Sequence, residues 1–209
     1  MSDNFTLINI LPTWIMEMDF PDPETFIPYF DQFNYRDLNS HMSAETDILD
    51  REPFTRIRDL IIPNLNEIVK GCGYEGENIG VRITQSWCVK TTGGQDAPTH
   101  IHPNSQFSGV CYFNDSSQAL VLCREDMWYD SRMPLRVFDC FDHNLFFHQT
   151  HNQFRYEPRA GKIIIFPSVM KHYVEMAPPE VTETRYSLAF NTFLTGKIMS
   201  DSTLASIVL

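Results

Sequence analysis

Residues 184–193 read TRYSLAFNTF, and this stretch shows most clearly how the chain folds. Two kinds of side chain alternate along it, Tyr186, Leu188 and Phe190 on one face and Arg185, Ser187, Ala189 and Asn191 on the other. A period of two is typical of a β-strand with one face in a hydrophobic core. We expect the apolar face to pack between a sheet and helices, and the other face to point into a barrel.

Strand patterns recur through the rest of the second half of the chain. Residues 81–89, VRITQSWCV, alternate as a half-buried strand does. Shorter candidates follow, separated by turns with Gly, Pro, Asn and Asp: residues 99–102, 107–113, 119–123, 135–138, 144–147, 153–156, 162–166, 172–176 and 185–193. Many short strands at near-regular spacing predict an all-β sandwich or barrel.

Helical signals are confined to the first 75 residues. Residues 22–33 begin with Asp-Pro-Glu and space their aromatic residues as a helix does. A second amphipathic segment begins near Pro53; we expect Pro63 to kink or restart it, and Gly71 and Gly73 to stop it. Both segments are expected to buttress the outside of the sheet.

The length of 209 residues suits one domain, because all-β barrels commonly reach this size. We expect residues 1–75 to form an N-terminal strand and helices, and residues 76–209 the barrel core. The opening residues carry acids and a proline but no basic leader region, so they indicate a strand and not a secretion signal. No stretch approaches the roughly 20 apolar residues of a membrane helix.

The charge balance argues against a nucleic-acid partner. The formal net charge is -11, and no cluster of Lys and Arg is present to bind phosphates. The 5 cysteines are odd in number and widely spaced, which is not typical of a disulfide framework or a structural zinc site. Free thiols fit a reducing cytoplasm, the location that we expect.

The histidines suggest a metal site. His100 and His102 are two residues apart in a strand candidate, so both imidazoles share one face, and Asn104 continues that face if the strand extends past residue 103. His172 begins a later strand that can lie beside the earlier one in a jelly roll. The alternative is a pair of strand histidines bonded to backbone carbonyls. A second group, irregularly spaced, is expected in a loop or on a solvated face: His143, His148 and His151.

Arg185 is placed where a charge needs an anionic partner. A buried guanidinium is costly unless it meets an anion, and its planar fork matches a carboxylate. That carboxylate belongs either to a protein side chain or to a dicarboxylate ligand. Ser187 points the same way and can share the anion.

Three strings carry a resemblance to a known family: THIHPNSQFSGVCYF (99–113), GKIIIFPSVMKHYV (161–174) and RYSLAFNTF (185–193). Together they resemble the iron(II)/2-oxoglutarate oxygenases found in phages, especially those of marine cyanobacteria, and in some bacteria. The strings ITQSWCVKTTGG (83–94) and FNTFLTGKIMSDSTLASIVL (190–209) are also similar, and FTLINILPTWI (5–15) more loosely. The resemblance implies a double-stranded β-helix with flanking helices.

The resemblance also implies roles for the residues singled out above. The first strand motif and His172 would supply iron(II) ligands. Arg185, with Ser187, would bind the distal carboxylate of 2-oxoglutarate, and we place Asn191 and Tyr112 in the same expected cosubstrate pocket. Molecular oxygen would be the second cosubstrate and a C–H bond of an unknown small-molecule, peptide or protein substrate would be hydroxylated.

The ligand motif departs from that of the wider superfamily, which uses two histidines and a carboxylate in an H-x-D or H-x-E motif. Neither His100-Ile101-His102 nor His102-Pro103-Asn104 contains the carboxylate. The third ligand is therefore a histidine, Asn104, water or a remote acid such as Asp96.

Two other functions compete with the oxygenase hypothesis. A cupin-like metal dioxygenase or isomerase would use H-x-H and a later histidine without 2-oxoglutarate, although the arginine and serine after His172 argue against it. A non-catalytic jelly-roll domain could instead bind a partner or belong to a virus particle. The sequence predicts neither the substrate nor the oligomeric state.

Overall fold

The structure is a computed structural model that describes residues 14–37, 40–72, 76–123, 153–198 and 207–209. The predicted strands at 135–138 and 144–147 lie outside the described residues, as does most of the N-terminal stretch that we predict to begin with a strand. Five single residues considered above also lie outside the described residues: Gly73, Cys140, His143, His148 and His151. The prediction of one domain divided near residue 75 stays a prediction.

The first predicted helix is a 3-10 helix, Pro23–Gln32, and not an α-helix. Pro28 lies inside it and lacks the N–H that an α-helical bond there would need. The second is one continuous α-helix, α1 (Thr55–Gly71), so the helix does not restart at Pro63, and a kink there stays a prediction. Its buried face packs along its whole length, which outweighs the one lost hydrogen bond: Ile57, Ile61, Leu65 and Val69.

A short 3-10 turn, Ile48–Asp50, precedes α1. No helix of the described residues is long and apolar enough to cross a membrane.

The strands are short except for two long ones. In chain order they are β1 (Met16–Asp19), β2 (Tyr35–Asp37), β3 (His41–Ser43), β4 (Gly76–Thr91), β5 (Ala97–His100), β6 (Phe107–Tyr112), β7 (Leu120–Cys123), β8 (Gln153–Tyr156), β9 (Lys162–Pro167), β10 (Lys171–Val174), β11 (Arg185–Ile198) and β12 (Ile207–Val208). The sequence patterns predicted most of them within a few residues. They did not predict β2, β3 or β12.

Within the described residues the strands form two sheets, all of whose strand pairs are antiparallel. The larger sheet has the order β1-β9-β6-β11-β4-β3-β2, with β12 beside β11, and the smaller has the order β5-β10-β7-β8. A mainly β double-stranded β-helix is therefore confirmed.

The two faces of the larger sheet have separate cores. On the outer face, Leu188 and Phe190 pack with α1 and the 3-10 helix, as the alternation in residues 184–193 predicts. On the inner face, Val110 and Tyr112 pack against Leu122 of the smaller sheet. The side chains of Arg185 and Ser187 point into the space between the two sheets.

An aromatic cluster joins the helices to the end of β6. The ring of Phe113 is 1% exposed and lies 5.0–6.2 Å, centroid to centroid, from four other phenylalanines: Phe20, Phe26, Phe30 and Phe54. Edge-to-face packing of this kind holds the first third of the chain on the outer face of the sheet.

Phe113→Ala should lower the free energy of unfolding by about 3–5 kcal/mol, because it leaves a cavity among four rings. Urea unfolding followed by circular dichroism measures the loss. Leu60→Ala is the control, since this α1 side chain is 37% exposed and should cost about 1 kcal/mol or less. Equal losses in the two variants would show that the cluster does not hold the helices in place.

Candidate metal centre and anion pocket

Antiparallel pairing brings two distant histidines face to face. In the smaller sheet, His172 of β10 is the direct partner of His100 at the end of β5. The centroids of the two imidazole rings are 4.3 Å apart. An early and a late strand are thus neighbours, as the sequence analysis expects.

His102 reaches the same place by a different route from the predicted one. β5 ends at His100, so His102 is not a strand residue and the predicted strand 99–102 is too long at this end. The backbone N–H of His102 donates to the carbonyl oxygen of Ser168 at 3.1 Å. Its ring stacks on the indole of Trp87, at 5.9 Å and 20°. These contacts, and not strand pleating, direct its imidazole towards His172.

The three imidazoles are arranged as ligands of one ion. Their candidate ligand atoms all lie within 4.8 Å of one another. Nε2 of His102 and Nε2 of His172 are 3.1 Å apart. Two nitrogens that bind one metal at about 2.1 Å along perpendicular directions are about 3.0 Å apart, so this separation suits adjacent positions on one ion.

Backbone carbonyls fix which nitrogen faces the centre. Nδ1 of His172 lies 2.9 Å from the carbonyl oxygen of Met170, and Nδ1 of His100 lies 2.7 Å from that of Pro98. A carbonyl oxygen only accepts, so each neutral ring carries its proton on Nδ1 and presents the Nε2 lone pair. The carbonyl-bonded histidines of the alternative interpretation are therefore present, and the same bonds are the ones that orient metal ligands.

Burial keeps the imidazole rings of His102 and His172 neutral. It lowers the pKa of both His102 and His172 to about 4, and the neighbouring His100 adds to the effect in each case. A neutral imidazole is the form that binds a metal ion. At pH 7 neither ring has to lose a proton first.

The group contains three imidazoles and no carboxylate. Asn104 lies in an exposed turn with a left-handed backbone, φ 59°, and does not continue the face of β5. Its predicted role as a ligand stays a prediction, and so does that of Asp96. The structure brings together His100, His102 and His172.

Small polar side chains support the His102 end of the site. The hydroxyl of Ser108 donates to Oδ1 of Asn191 at 2.9 Å and lies 2.8 Å from that of Ser168, whose carbonyl holds His102. Burial lowers the pKa of His102, and a side-chain hydrogen bond with Asn191 partly opposes that effect. Asn191 is six residues from Arg185, about 20 Å along the strand, so it does not share an anion with that guanidinium.

Arg185 lies at the other end of the space between the sheets and has no acidic partner among the described residues. The side chain is buried, with 4% of its surface exposed, and Nη1 donates to Ser187 Oγ at 3.1 Å. Its guanidinium carbon lies 5.2 Å from the ring centroid of Tyr112. Burial lowers the pKa of Arg185, and the opposing influence is Tyr112, not a carboxylate.

Unsatisfied polar atoms gather around this guanidinium. Three buried side-chain atoms in the described part of the chain have no hydrogen-bond partner: Nε of Arg185, the hydroxyl of Tyr112 and Oγ1 of Thr91. Thr91 is opposite Arg185 on β4, and Tyr112 is opposite Ser187 on β6. Buried polar groups are rarely left unpaired, so these donors form a pocket suited to an anion.

Sequence reasoning missed Thr91, Trp87, Ser108 and Ser168. The alternation of residues 81–89, continued by two residues, places Trp87 and Thr91 on one face. No comparable signal marks the two serines, whose partners are on other strands.

The histidine group and the anion pocket lie at opposite ends of the same interior. The group of three histidines is level with Ser108 and the anion pocket with Tyr112, four residues apart on β6. Four strand residues span about 13 Å. One ligand with a chelating end and an anionic end could therefore contact both.

Comparison with known proteins agrees with this geometry. The model of a 2OG-Fe(II) oxygenase family matches residues 85–191, just over half of the chain. The matched residues include all three histidines and Arg185. No curated protein matches the sequence.

Solved structures of low sequence identity share the fold. HygX from Streptomyces hygroscopicus, with nickel, 2-oxoglutarate and hygromycin B bound, has a TM-score of 0.55 at 11% identity, over 86% of this chain and 82% of that one. The epimerase SnoN of nogalamycin biosynthesis has 0.56 at 8%, over 92% and 83%. A prolyl-4-hydroxylase from Pseudomonas putida has 0.53 at 11%, over 86% and 92%.

His172→Ala should abolish stoichiometric metal binding, because it removes the ligand that contacts both other rings. The metal content of anaerobically loaded, desalted protein measures the loss. His41→Ala is the control and should keep about one ion per chain, since His41 lies on β3. Unchanged metal content in the His172 variant would show that the ion is held elsewhere.

Proposed function

The chain belongs to the 2OG-Fe(II) oxygenase family, and on this premise we propose that it is a hydroxylase with iron(II) at His100, His102 and His172 and 2-oxoglutarate at Arg185. As a member of that family it is an oxygenase that uses iron(II), 2-oxoglutarate and molecular oxygen. The assignment of residues and the type of reaction are the proposal.

The donor set fits iron(II). Imidazole is a good ligand for iron, and two of the three rings have their ligand nitrogen fixed by a backbone carbonyl. Three neutral ligands leave the charge of the ion uncompensated by the protein. A chelating 2-oxo acid would bring the negative charge that a carboxylate ligand brings elsewhere in the superfamily.

The anion pocket fits the distal carboxylate of 2-oxoglutarate, and this is the observation that carries the proposal. Arg185 is a buried cation with no acid from the described residues, and such a charge is strongly unfavourable without a partner. The hydroxyls of Tyr112 and Thr91 are unpaired beside it. A bound carboxylate would accept from all three groups at once.

Iron(II) with 2-oxoglutarate and oxygen supplies the oxidising power, and the residues of the chain supply position. The imidazoles would hold the ion at one end of the interior. Arg185, Tyr112 and Thr91 would hold the cosubstrate at the other end, so that its 2-oxo acid group points at the ion. Apolar side chains of the inner core, such as Leu120 and Leu122, would keep water from the space between.

Several finer features belong to the same proposal. We propose that the protein hydroxylates a C–H bond, that it is a phage-type member of the family, and that it is located in the cytoplasm. The location is supported by the free thiols of Cys72, Cys88, Cys111 and Cys123. HygX, which is solved with hygromycin B bound, and the prolyl-4-hydroxylase share only the fold with this chain, and we keep both a small molecule and a peptide as substrate classes.

Taken alone, the all-histidine group would also suit a cupin-like oxygenase site without 2-oxoglutarate, the alternative that the sequence left open. It gives Arg185 no role, although this residue is buried and lacks an acidic partner among the described residues. Binding of 2-oxoglutarate to the iron(II) protein therefore separates the two candidates.

Arg185→Ala should weaken 2-oxoglutarate binding by roughly 30- to 150-fold, the equivalent of about 2–3 kcal/mol for a charge-assisted contact. Arg185→Lys should lie between this variant and the parent, because it keeps the charge but loses the fork. Anaerobic calorimetric titration of the iron(II) protein measures all three affinities, with iron content unchanged. Equal affinities would mean that the guanidinium does not bind the cosubstrate.

Tyr112→Phe and Thr91→Val each remove a hydroxyl with little change of shape. Each should weaken 2-oxoglutarate binding by about three- to tenfold, since a hydrogen bond contributes about 0.5–1.5 kcal/mol. The ligand-free protein should be as stable as the parent or more so, because the lost hydroxyl has no partner there. A loss of ligand-free stability without a change in affinity would show that the hydroxyls serve the fold.

A further inference from the structure

The two longest strands extend beyond the metal-binding end of the barrel. β4 and β11 pair from Arg185 opposite Thr91 to Ile198 opposite Gly76. On the other side of β11, pairing with β6 stops at Thr192. Residues 193–196 of β11 therefore have β4 as their strand neighbour within the described residues, and together they form an extension past the metal centre.

One face of this extension is continuous with the interior of the barrel. The register between β4 and β11 shifts at Asn191, where Thr84 is the extra residue on β4. β11 itself continues its alternation, so Phe193 lies on the same face as Asn191, about 7 Å further along the strand. Arg82 of β4 is directly opposite Phe193.

Two aromatic side chains on this face belong to neither hydrophobic core. Trp87 and Phe193 are both half-buried and pack in neither the outer nor the inner cluster. Trp87 stacks on His102 instead. The two cores therefore do not account for these two side chains, and the face that carries them leads to the three histidines.

The face also carries an unpaired cation. Arg82 is exposed and makes no hydrogen bond or ion pair with any described residue. The other cation on this face, Lys197, is opposite Glu77 in the strand register. A guanidinium that has no acidic partner among the described residues is notable in a chain of net charge -11.

We propose that this face, defined by Trp87, Phe193 and Arg82, binds the primary substrate, and that the substrate is a small anion with an apolar ring. The ring would pack on Phe193 and reach towards Trp87. The anionic group would pair with Arg82. The inference rests on the proposed function, since it takes the reacting end of the substrate to lie at the three histidines.

The charge and the spacing favour this class of ligand. Arg82 attracts an anion and repels a cation, and Phe193 provides a flat apolar surface beside it. The step from Asn191, whose side chain influences the pKa of His102, to Phe193 is about 7 Å along the strand. That distance is the size of one or two rings, so a small molecule could span from Arg82 to the metal centre.

Two fluorescent probes of nearly the same shape test the proposal. Anilinonaphthalene sulfonate is an anion with apolar rings, and N-phenylnaphthylamine has the rings without the charge. Both are titrated into the metal-loaded parent with excess 2-oxoglutarate, which occupies the pocket at Arg185. The expected result is one site per chain for each probe, with the sulfonate bound more tightly.

Arg82→Gln should weaken binding of the sulfonate by about three- to fivefold and leave the neutral probe unchanged, as for an exposed ion pair. Phe193→Ala should weaken both probes by about fivefold. Arg36→Gln is the matched control, an exposed strand arginine on β2 at the far edge of the sheet, and should change neither. Thermal unfolding of each variant excludes probe binding to loosened protein.

The proposal is overturned if Arg82→Gln leaves the affinity for the sulfonate unchanged, if it weakens both probes equally, or if Phe193→Ala affects neither. Metal content and 2-oxoglutarate affinity are measured in the same variants and should equal those of the parent. Failure of the parent to bind 2-oxoglutarate would instead contradict the proposed function. In that case Arg185→Ala shows whether the sulfonate occupies the anion pocket, because sulfonate binding at Arg82 survives this change.

Discussion

The pairing of β11 between β4 and β6 is the constraint on which the rest of the structure depends. Because side chains alternate across a strand, this one position in the sheet assigns Leu188 and Phe190 to the outer core and Arg185 and Ser187 to the interior. A shift of the register by one residue would exchange the two sets. The apolar outer face therefore fixes where the interior charge is placed.

The candidate metal centre depends on a second consequence of antiparallel pairing. His100 and His172 are far apart in the chain but directly opposite each other in the smaller sheet. Their carbonyl partners, Pro98 and Met170, are each two residues before the histidine. Local backbone geometry thus orients each ring, and the sheet brings the oriented rings together.

The anion pocket illustrates how a buried charge can indicate function. The described residues satisfy nearly all their buried side-chain polar atoms, and the three exceptions are Nε of Arg185 itself and the hydroxyls of Tyr112 and Thr91. A fold that needed this cation only for stability would be expected to pair it with a carboxylate, because an unpaired buried charge is destabilising. Local rules are commonly broken at functional sites, and the unpaired donors here lie where we propose that 2-oxoglutarate binds.

The alternation in residues 184–193, the histidines at 100, 102 and 172, and the many short strands were enough to predict a jelly-roll barrel and its main polar residues. Periodicity depends on neighbours in the chain, which is why it can be seen in a single sequence. The surroundings of His102, Thr91 and Ser168 could not be predicted in this way, since the residue that each lies beside is on a different element. The same holds for the continuity of α1 through Pro63, which depends on tertiary packing. Whether Arg185 meets a protein acid or a ligand was likewise left open by the sequence, because the strands that surround a side chain are determined only when the sheets close.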